Sequence, residues 1–230
     1  MSKDIVKRIT LFDSTDLTAA EEYFSQMAQK GLMLKKYGVI SHFTRCLPQK
    51  LRFSVQLLMP ERGENYENKV REYVGLCEQA GWTFISNSSG MCVFVTAKDD
   101  IPDIVTDPQE RIDAVTRQSR NGAVLLWLLS VIMLPFLLGL ISGIVEKRSF
   151  QELLVNEIPF AICWASLLTM TVIRTVRFLK WRKAARYDAA AGRPIRYYDL
   201  RGARPYRVAL GFCFALLGVS LVLFILGLFI

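Results

Sequence analysis

The sequence has few of the residues on which catalytic and metal centres most often depend. It contains one histidine, His42, and five cysteines, none of them in C-x-x-C spacing. A zinc site needs about three or four ligands, and a nucleophilic triad needs a base beside its serine or cysteine. No G-x-x-x-x-G-K-[ST] loop and no G-x-G-x-x-G motif is present. We therefore expect no catalytic residues, no metal site and no cofactor.

Net charge is absent from the first half of the chain. Residues 1–120 hold sixteen Lys and Arg and sixteen Asp and Glu, although the whole chain carries a formal charge of +8. Residues 174–207 alone contain eleven Lys and Arg against Asp188 and Asp199. Because this basic stretch lies between two long apolar runs, the charge indicates membrane topology and not direct nucleic-acid binding.

Three apolar segments predict three transmembrane helices, over residues 121–145, 153–173 and 208–230. The middle one is the weakest, because Asn156, Glu157 and Pro159 interrupt its start, and a re-entrant or interfacial segment is the alternative. For Glu157 itself, an interfacial position or a pairing with Lys147 or Arg148 is favoured over an ion pathway. Lys and Arg are retained on the cytoplasmic side. The basic loop 174–207 therefore predicts a multi-pass protein of the bacterial inner (cell) membrane, with a cytoplasmic N-terminus and an extracellular C-terminus. The first fourteen residues lack the apolar core of a signal peptide.

The first half contains an internal repeat with an offset of fifty residues, because residues 22–32 align with residues 72–82. In each copy a strand precedes an amphipathic helix, a glycine (Gly31 or Gly81) ends the helix, and a hairpin follows. We predict an α+β domain, a tandem βαββ repeat with two helices on one face of a mostly antiparallel sheet, as in a ferredoxin-like sandwich. Glu21 and Glu22 are expected on a solvated helix surface.

The predicted organisation has three parts. Residues 1–98 form the cytoplasmic domain, residues 99–120 a linker or stalk helix that begins near Pro108, and residues 121–230 the membrane domain. The bases that follow the second span are candidate contacts with anionic lipid, beside a tryptophan at headgroup depth. They are Arg174, Arg177, Lys180, Trp181, Arg182, Lys183 and Arg186. Small residues at four-residue spacing are candidate helix-packing positions, within the chain or in a homodimer. They are Gly139, Gly143, Gly211 and Ala215.

Several short motifs resemble the bacterial domain of unknown function 2812 family over roughly residues 5–112. They are Glu21–Phe24, Met27–Leu32, Arg52–Val55, Glu78–Trp82 and Val105–Pro108. Tyr23-Phe24 stands where the family usually has Trp-Leu, and Gln56 where an acid is frequent. The resemblance implies a cytoplasmic domain ahead of C-terminal spans and no known activity. It also implies a regulatory context, since the genes of family members frequently lie beside those of PadR-type transcriptional regulators.

These observations favour a membrane-anchored, non-enzymatic regulatory or protein-interaction module. Its expected partners are membrane lipids and either a cytosolic regulator, of PadR type by the family context, or a membrane protein. An accessory subunit of a membrane transporter is the first alternative. A membrane enzyme with an unrecognised site is the second.

Overall fold

The computed structural model describes residues 5–58, 65–104, 107–132, 134–145 and 158–227. Within these ranges the protein is α+β, with two three-stranded antiparallel sheets and six helices. Their bounds are β1 (Ile5–Ile9), α1 (Leu17–Gln29), β2 (Leu32–Lys36), β3 (Ile40–Arg45), β4 (Arg52–Leu57), α2 (Tyr66–Gln79), β5 (Thr83–Ser88), β6 (Met91–Thr96), α3 (Pro108–Ile132), α4 (Leu134–Val145), α5 (Ile158–Ala190) and α6 (Leu200–Gly227).

The chain divides into two compact units. The first unit comprises Met1–Gln118 together with Trp181–Arg204, and the second comprises Ser119–Lys180 together with Pro205–Ile230. Thus the end of α5, the start of α6 and the residues between them belong to the same unit as the six strands.

The predicted βαββ duplication is confirmed. Each repeat contains a strand, a helix and a hairpin in that order, and Gly31 and Gly81 follow the two helices with φ of +76° and +93°. These are left-handed conformations, in which a glycine avoids the penalty that a Cβ atom brings. The turn between β5 and β6 likewise uses positive φ, at Ser89 and Gly90.

The prediction of one sheet is wrong, because the strands form two sheets. The first has the order β1-β3-β2 and the second the order β4-β6-β5. The strands β2 and β5 lie near each other, yet each carries an irregularity, between Leu34 and Lys36 and between Phe84 and Ser86. Bulges of this kind break a ladder. The backbone N–H of Tyr37 donates instead to the side chain of Ser86 at 2.8 Å.

The placement of both helices on one face is also wrong. Strand β6 is buried along its whole length, and its side chains alternate between two apolar clusters. Met91, Val93 and Val95 pack with α1 and the first sheet. Cys92 and Phe94 pack with Cys77 and Trp82 around α2. Since successive side chains on a strand point to opposite faces, α1 and α2 cover opposite faces of the second sheet.

Phe24 of α1 is the centre of the larger cluster. It is 1% exposed, and its ring contacts those of Phe12, Tyr37, Phe43 and Phe53 at centroid distances between 5.7 and 6.4 Å. Tilted and edge-to-face pairs of this kind stabilise a core beyond the area that they bury. Helix α1 thereby joins the two repeats, since Phe43 lies on β3 and Phe53 on β4.

Among the described residues, two helices are long and apolar enough to cross a membrane, Ile158–Ala190 and Leu200–Leu226. The predicted number of three spans is thereby corrected to two candidates. The apolar residues 121–145 lie in α3 and α4 on either side of Met133, which is outside the described residues. Each of the two parts has twelve residues, fewer than the ~20 apolar residues that a span needs. The residues before Ile158, with Glu157, Lys147 and Arg148, also lie outside the described ranges.

Candidate functional site at the strap and helix α1

The residues between α5 and α6 form an extended strap, residues 191–199, within the first unit. Helix α5 ends at glycine, with Gly192 at a φ of +65°. The N–H of Gly192 donates to the carbonyl of Ala189 at 3.1 Å, and that of Arg193 donates to Asp188 at 2.8 Å. These bonds satisfy carbonyl groups that the end of a helix leaves without a partner. The chain then leaves the helix axis through Pro194.

The backbone of the strap pairs with the start of α1. The N–H of Tyr198 donates to the carbonyl of Thr15 at 3.0 Å, and the carbonyl of Tyr198 accepts from the N–H of Ala19 at 3.1 Å. Asp16, the N-cap residue of α1, makes no side-chain capping bond. The first N–H groups of a helix have no partner within it. The strap therefore supplies an acceptor that the sequence of α1 does not.

Helix α1 supplies an acceptor in return. The carboxylate of Glu22 accepts from the backbone N–H of Leu200, the first residue of α6, at 2.9 Å. The carboxylate of Asp199 caps the same helix end by accepting from Gly202 at 2.8 Å. Two carboxylates thus lie at the positive end of α6, where a negative charge is stabilised by ~0.3–1 kcal/mol. The bonds of Tyr198 to α1 and the bonds of Glu22 and Asp199 to the start of α6 form one reciprocal contact, which we call the latch.

Side chains of the strap fix it on the domain. Tyr197 packs against the core cluster around Phe24 and stacks on Trp181 with ring centroids 5.6 Å apart and planes at 24°. The indole N–H of Trp181 donates to the carbonyl of Arg196 at 3.1 Å. Arg196 also pairs with Asp188 at 3.3 Å, but its side chain is 76% exposed. Such an exposed pair contributes little, so the aromatic contacts and backbone bonds hold the strap.

A partly buried acid lies beside the latch. Glu21 accepts a hydrogen bond from the backbone N–H of Val55 at 2.7 Å. Burial raises the pKa of Glu21 to about 7, against the lowering effects of the Val55 bond and of Arg111. Burial likewise raises the pKa of Tyr197 to about 12, with Arg111 opposing and Glu21 adding to the shift. The carboxyl group of Glu21 therefore changes its charge near neutral pH, whereas the phenol of Tyr197 stays neutral.

The space next to these groups is small. A cavity of about 10 Å³ is lined by residues that include Leu17, Gln56, Arg111 and Tyr197. Arg111 donates to the side-chain carbonyl of Gln56 at 3.3 Å and to the backbone carbonyl of Ile104 at 2.8 Å. A cavity of this size holds about one water molecule. The arrangement suits a proton-sensitive contact between α1, β4 and the strap better than it suits a substrate site.

The family comparison matches this part of the chain. Residues 16–128 match the family model described as Protein of unknown function (DUF2812). The chain belongs to the DUF2812 family. The match begins at the N-cap of α1, includes both the second repeat and Glu21, and extends into α3. No curated protein and no solved structure matches the chain.

The predicted lipid-contact residues of this DUF2812 protein lie in both units. In the first, Trp181 is 3% exposed and belongs to the strap contacts, while Lys183 and Arg186 are exposed. In the second, the guanidinium group of Arg177 lies 4.5 Å from the ring centroid of Tyr206. Of the remaining three, Lys180 is exposed, Arg182 is partly buried, and Arg174 lies against Gly122, where an added Cβ would be 2.8 Å from Nη1.

The small residues also differ among themselves. Gly143 is buried and Gly139 partly buried, while the backbone carbonyl of Gly139 accepts from Ser142. Gly211 and Ala215 are exposed, and a Cβ atom added to Gly211 would meet no atom within 4 Å among the described residues. In this second unit the described contacts of α5 include Trp164, whose indole donates to the carbonyl of Ser130 at 3.0 Å.

Sequence reasoning missed the main elements of the latch. The expectation that Glu21 is solvated is wrong, and a signal for its burial was present: Glu21 follows Leu17 by four residues and precedes Phe24 by three, on the apolar stripe of α1. Glu22 lies outside that stripe and bonds Leu200. The role of Tyr198 uses only backbone atoms, so no side-chain pattern could reveal it. Among the described residues, no group of three or more metal-ligating side chains was found.

Proposed function

We propose that this protein is a membrane-anchored, non-enzymatic regulatory or interaction module whose cytoplasmic DUF2812 domain is latched to the strap between two membrane helices. The observation that carries this proposal is the backbone pairing of Tyr198 with Thr15 and Ala19. Through it, the domain has a second attachment, besides α3, to the residues that continue directly into the candidate spans. A movement of those helices would displace Tyr198 and thereby the start of α1, whose aromatic side chains hold the two repeats together.

The latch also supports the proposed topology. Residues 1–118 and 181–204 form one compact unit, so both lie on the same side of a membrane. An even number of crossings must then separate them. The basic strap region follows the rule that Lys and Arg stay inside, so we propose that the domain and the strap are cytoplasmic and that the C-terminus, after α6, is extracellular.

Photo-crosslinking in native membranes tests the function. A photoreactive residue in place of Glu72, which is exposed on α2, should give an adduct with a non-self protein, either a cytosolic regulator or a membrane protein. The matched position is Glu22 in the first repeat, which should give intramolecular adducts because it contacts Leu200. Recovery of only self-contacts and lipid from Glu72 and from other exposed positions of the domain would count against an interaction module.

A second candidate function is that of an accessory subunit of a membrane transporter. The observation in its favour is the open small-residue face of α6, where Gly211 and Ala215 are exposed. Small residues allow close approach of another helix in a membrane. A photoreactive residue at Ala215 distinguishes the partners. An adduct with a multi-span protein supports the accessory subunit, an adduct with a second copy supports a homodimer, and lipid adducts alone argue against both.

A further inference from the structure

An open pocket lies at the end of α1 that is remote from the latch. Its volume is about 380 Å³, and its walls include Val6 of β1 and Leu32 of β2. This volume lies within the ~300–1,000 Å³ that is usual for small-molecule sites. The pocket exists because α1 packs against β2 and β4, so that among the described elements no helix packs on the corresponding face of β1.

Three cations from three elements line this pocket. They are Arg8 of β1, Lys30 at the end of α1 and Arg45 of β3, and no carboxylate is among the lining residues. The register places Arg8 opposite Ser41 and Val6 opposite Phe43, so Arg8, Val6 and Arg45 share the face of the first sheet that carries Phe43. Arginine offers a planar fork of donors that matches the oxygens of a phosphate group.

The negative end of the α1 dipole does not cancel this charge, because its last carbonyl groups already have donors. Lys30 N–H donates to Gln26 and Met27, and the carbonyl of Ala28 accepts from Gly31 and Gln49 at 3.0 and 3.1 Å. The adjoining wall is fixed as well. The N–H of Cys46 donates to the carbonyl of Gly31 at 2.9 Å, and a Cβ atom at Gly31 would be only 2.8 Å from the oxygen of Cys46.

The second repeat provides an internal comparison. The strand registers and the fifty-residue offset place Gln56, Ala80 and Thr96 at the positions of Arg8, Lys30 and Arg45. None of the three carries a charge. The chain itself fills this end of the second repeat, since a Cβ atom at Gly81 would be 2.6 Å from Ile101. The open volume and the cations therefore occur together, in the first repeat only.

We propose that this pocket binds a small phosphate-bearing anion, either free in the cytosol or presented by a lipid headgroup. The two arginines and Lys30 neutralise the phosphate, and Val6 and Leu32 contact the apolar part of the molecule that carries it. Exposed charges are screened by salt, so the affinity falls as ionic strength rises. The site lies outside the latch and adds a small-molecule ligand to the proposed interaction module.

Pyrophosphate binding by the full-length protein in neutral nanodiscs tests the proposal. The first readout is calorimetry at low ionic strength, and the second is the rate at which Cys46, on the pocket wall, reacts with a thiol reagent in a Cys163→Ser background. Pyrophosphate should slow the labelling of Cys46. Arg8→Gln and Arg45→Gln should each weaken binding by about tenfold or more, the loss expected for a charge-assisted hydrogen bond.

Lys7→Gln is the matched control. It removes the same charge from the same strand but lies on the opposite face, paired with His42. Equal weakening by Lys7→Gln and Arg8→Gln, with all variants folded by circular dichroism, would overturn the proposal. Labelling of Cys46 that neither pyrophosphate nor phosphatidic acid slows would also overturn it. Protection of Cys46 by phosphatidic acid nanodiscs alone supports the phosphate site and identifies the lipid headgroup as its source.

Discussion

The carboxyl group of Glu21 on α1 lies 2.7 Å from the backbone nitrogen of Val55 on β4 and accepts its hydrogen bond. Strand β4 is an edge of the second sheet, so no other described strand lies next to its outward N–H groups. Glu21 therefore occupies an edge position that another strand would otherwise take. The contact joins the helix of the first repeat to the sheet of the second, beside the strap residue Tyr197.

Stability should depend on pH through Glu21. Its pKa is about 7 in the folded protein and 4.5 as an ordinary carboxyl, so the folded state binds more protons between these values. The free energy of unfolding therefore decreases as pH rises from about 4.5 to 7, by at most about 3 kcal/mol. Glu21→Gln keeps an acceptor for Val55 and removes the titration. The difference in thermal midpoint between the two proteins, in detergent at pH 5 and pH 8, measures this effect.

The control for this experiment is Glu72→Gln, at an exposed position of α2. It should follow the wild-type pH profile, because an exposed carboxylate does not lose its hydration on folding. Parallel pH profiles of the wild type and Glu21→Gln would contradict the assignment of the titration to Glu21.

The latch should behave as one unit when either partner is changed. Glu22→Ala removes the acceptor, and Leu200→Pro removes the donor while keeping a residue that fits the first position of a helix. Each change should raise amide hydrogen exchange in residues 199–203 and at Ala19 by about 2- to 30-fold, corresponding to the ~0.5–2 kcal/mol of a lost cap. The double variant should exchange no faster than the more affected single variant, since both remove the same bond.

Glu72→Ala is again the matched control, since Glu72 is the repeat equivalent of Glu22. It should leave exchange in the strap unchanged. Additive effects of Glu22→Ala and Leu200→Pro, measured by exchange mass spectrometry, would show that the two residues do not act through a common hydrogen bond.

Three glycine substitutions should have effects of different size and sign. In Gly31→Ala the added Cβ atom would lie 2.8 Å from the rigid backbone oxygen of Cys46, and the residue has a φ of +76°. The variant should therefore lose more stability than the ~1–2 kcal/mol that a left-handed conformation alone costs. Gly81→Ala meets the end of the Ile101 side chain, which can move, and should cost less. Gly75→Ala meets nothing within 4 Å among the described residues and should stabilise α2 by ~0.5–1 kcal/mol. Thermal midpoints of the three variants give the order, and an unchanged midpoint for Gly31→Ala would contradict the close approach at Cys46.

The repeat was predictable because its signals are local: helical spacing, a glycine after each helix and a turn-rich hairpin. The layering was not predicted, although β6 carried a sign of it. Met91 to Val95 is an unbroken apolar run, which is typical of a strand buried on both faces, whereas a strand with one solvated face alternates. The split into two sheets leaves no clear mark in the residue pattern, and neither do the bulges in β2 and β5.

Charge and hydropathy located the half of the chain that contains the two candidate spans, because these signals depend on composition along a segment. They do not report which segments share a compact unit. The assignment of residues 181–204 to the unit of the domain follows from backbone bonds at Tyr198 and from stacking of Trp181 on Tyr197. A tryptophan after a span is typical of headgroup depth. Only the three-dimensional contacts show that this one packs on the strap.

The shared unit makes the topology testable with two engineered cysteines, in a background in which the more accessible natural thiols, Cys46 and Cys163, are serine. Ala190 ends α5 within the unit that contains the domain, and Ser149 precedes α5 in the sequence. If α5 crosses and its end at Ala190 is cytoplasmic, an impermeant thiol reagent added to intact cells should label Ser149→Cys and leave Ala190→Cys unlabelled until the cells are permeabilised. Labelling of neither from outside would mean that no crossing separates the domain from the strap, and labelling of Ala190→Cys would contradict a cytoplasmic domain. Comparing these two positions therefore tests whether the chain crosses the membrane an even number of times between the domain and the strap.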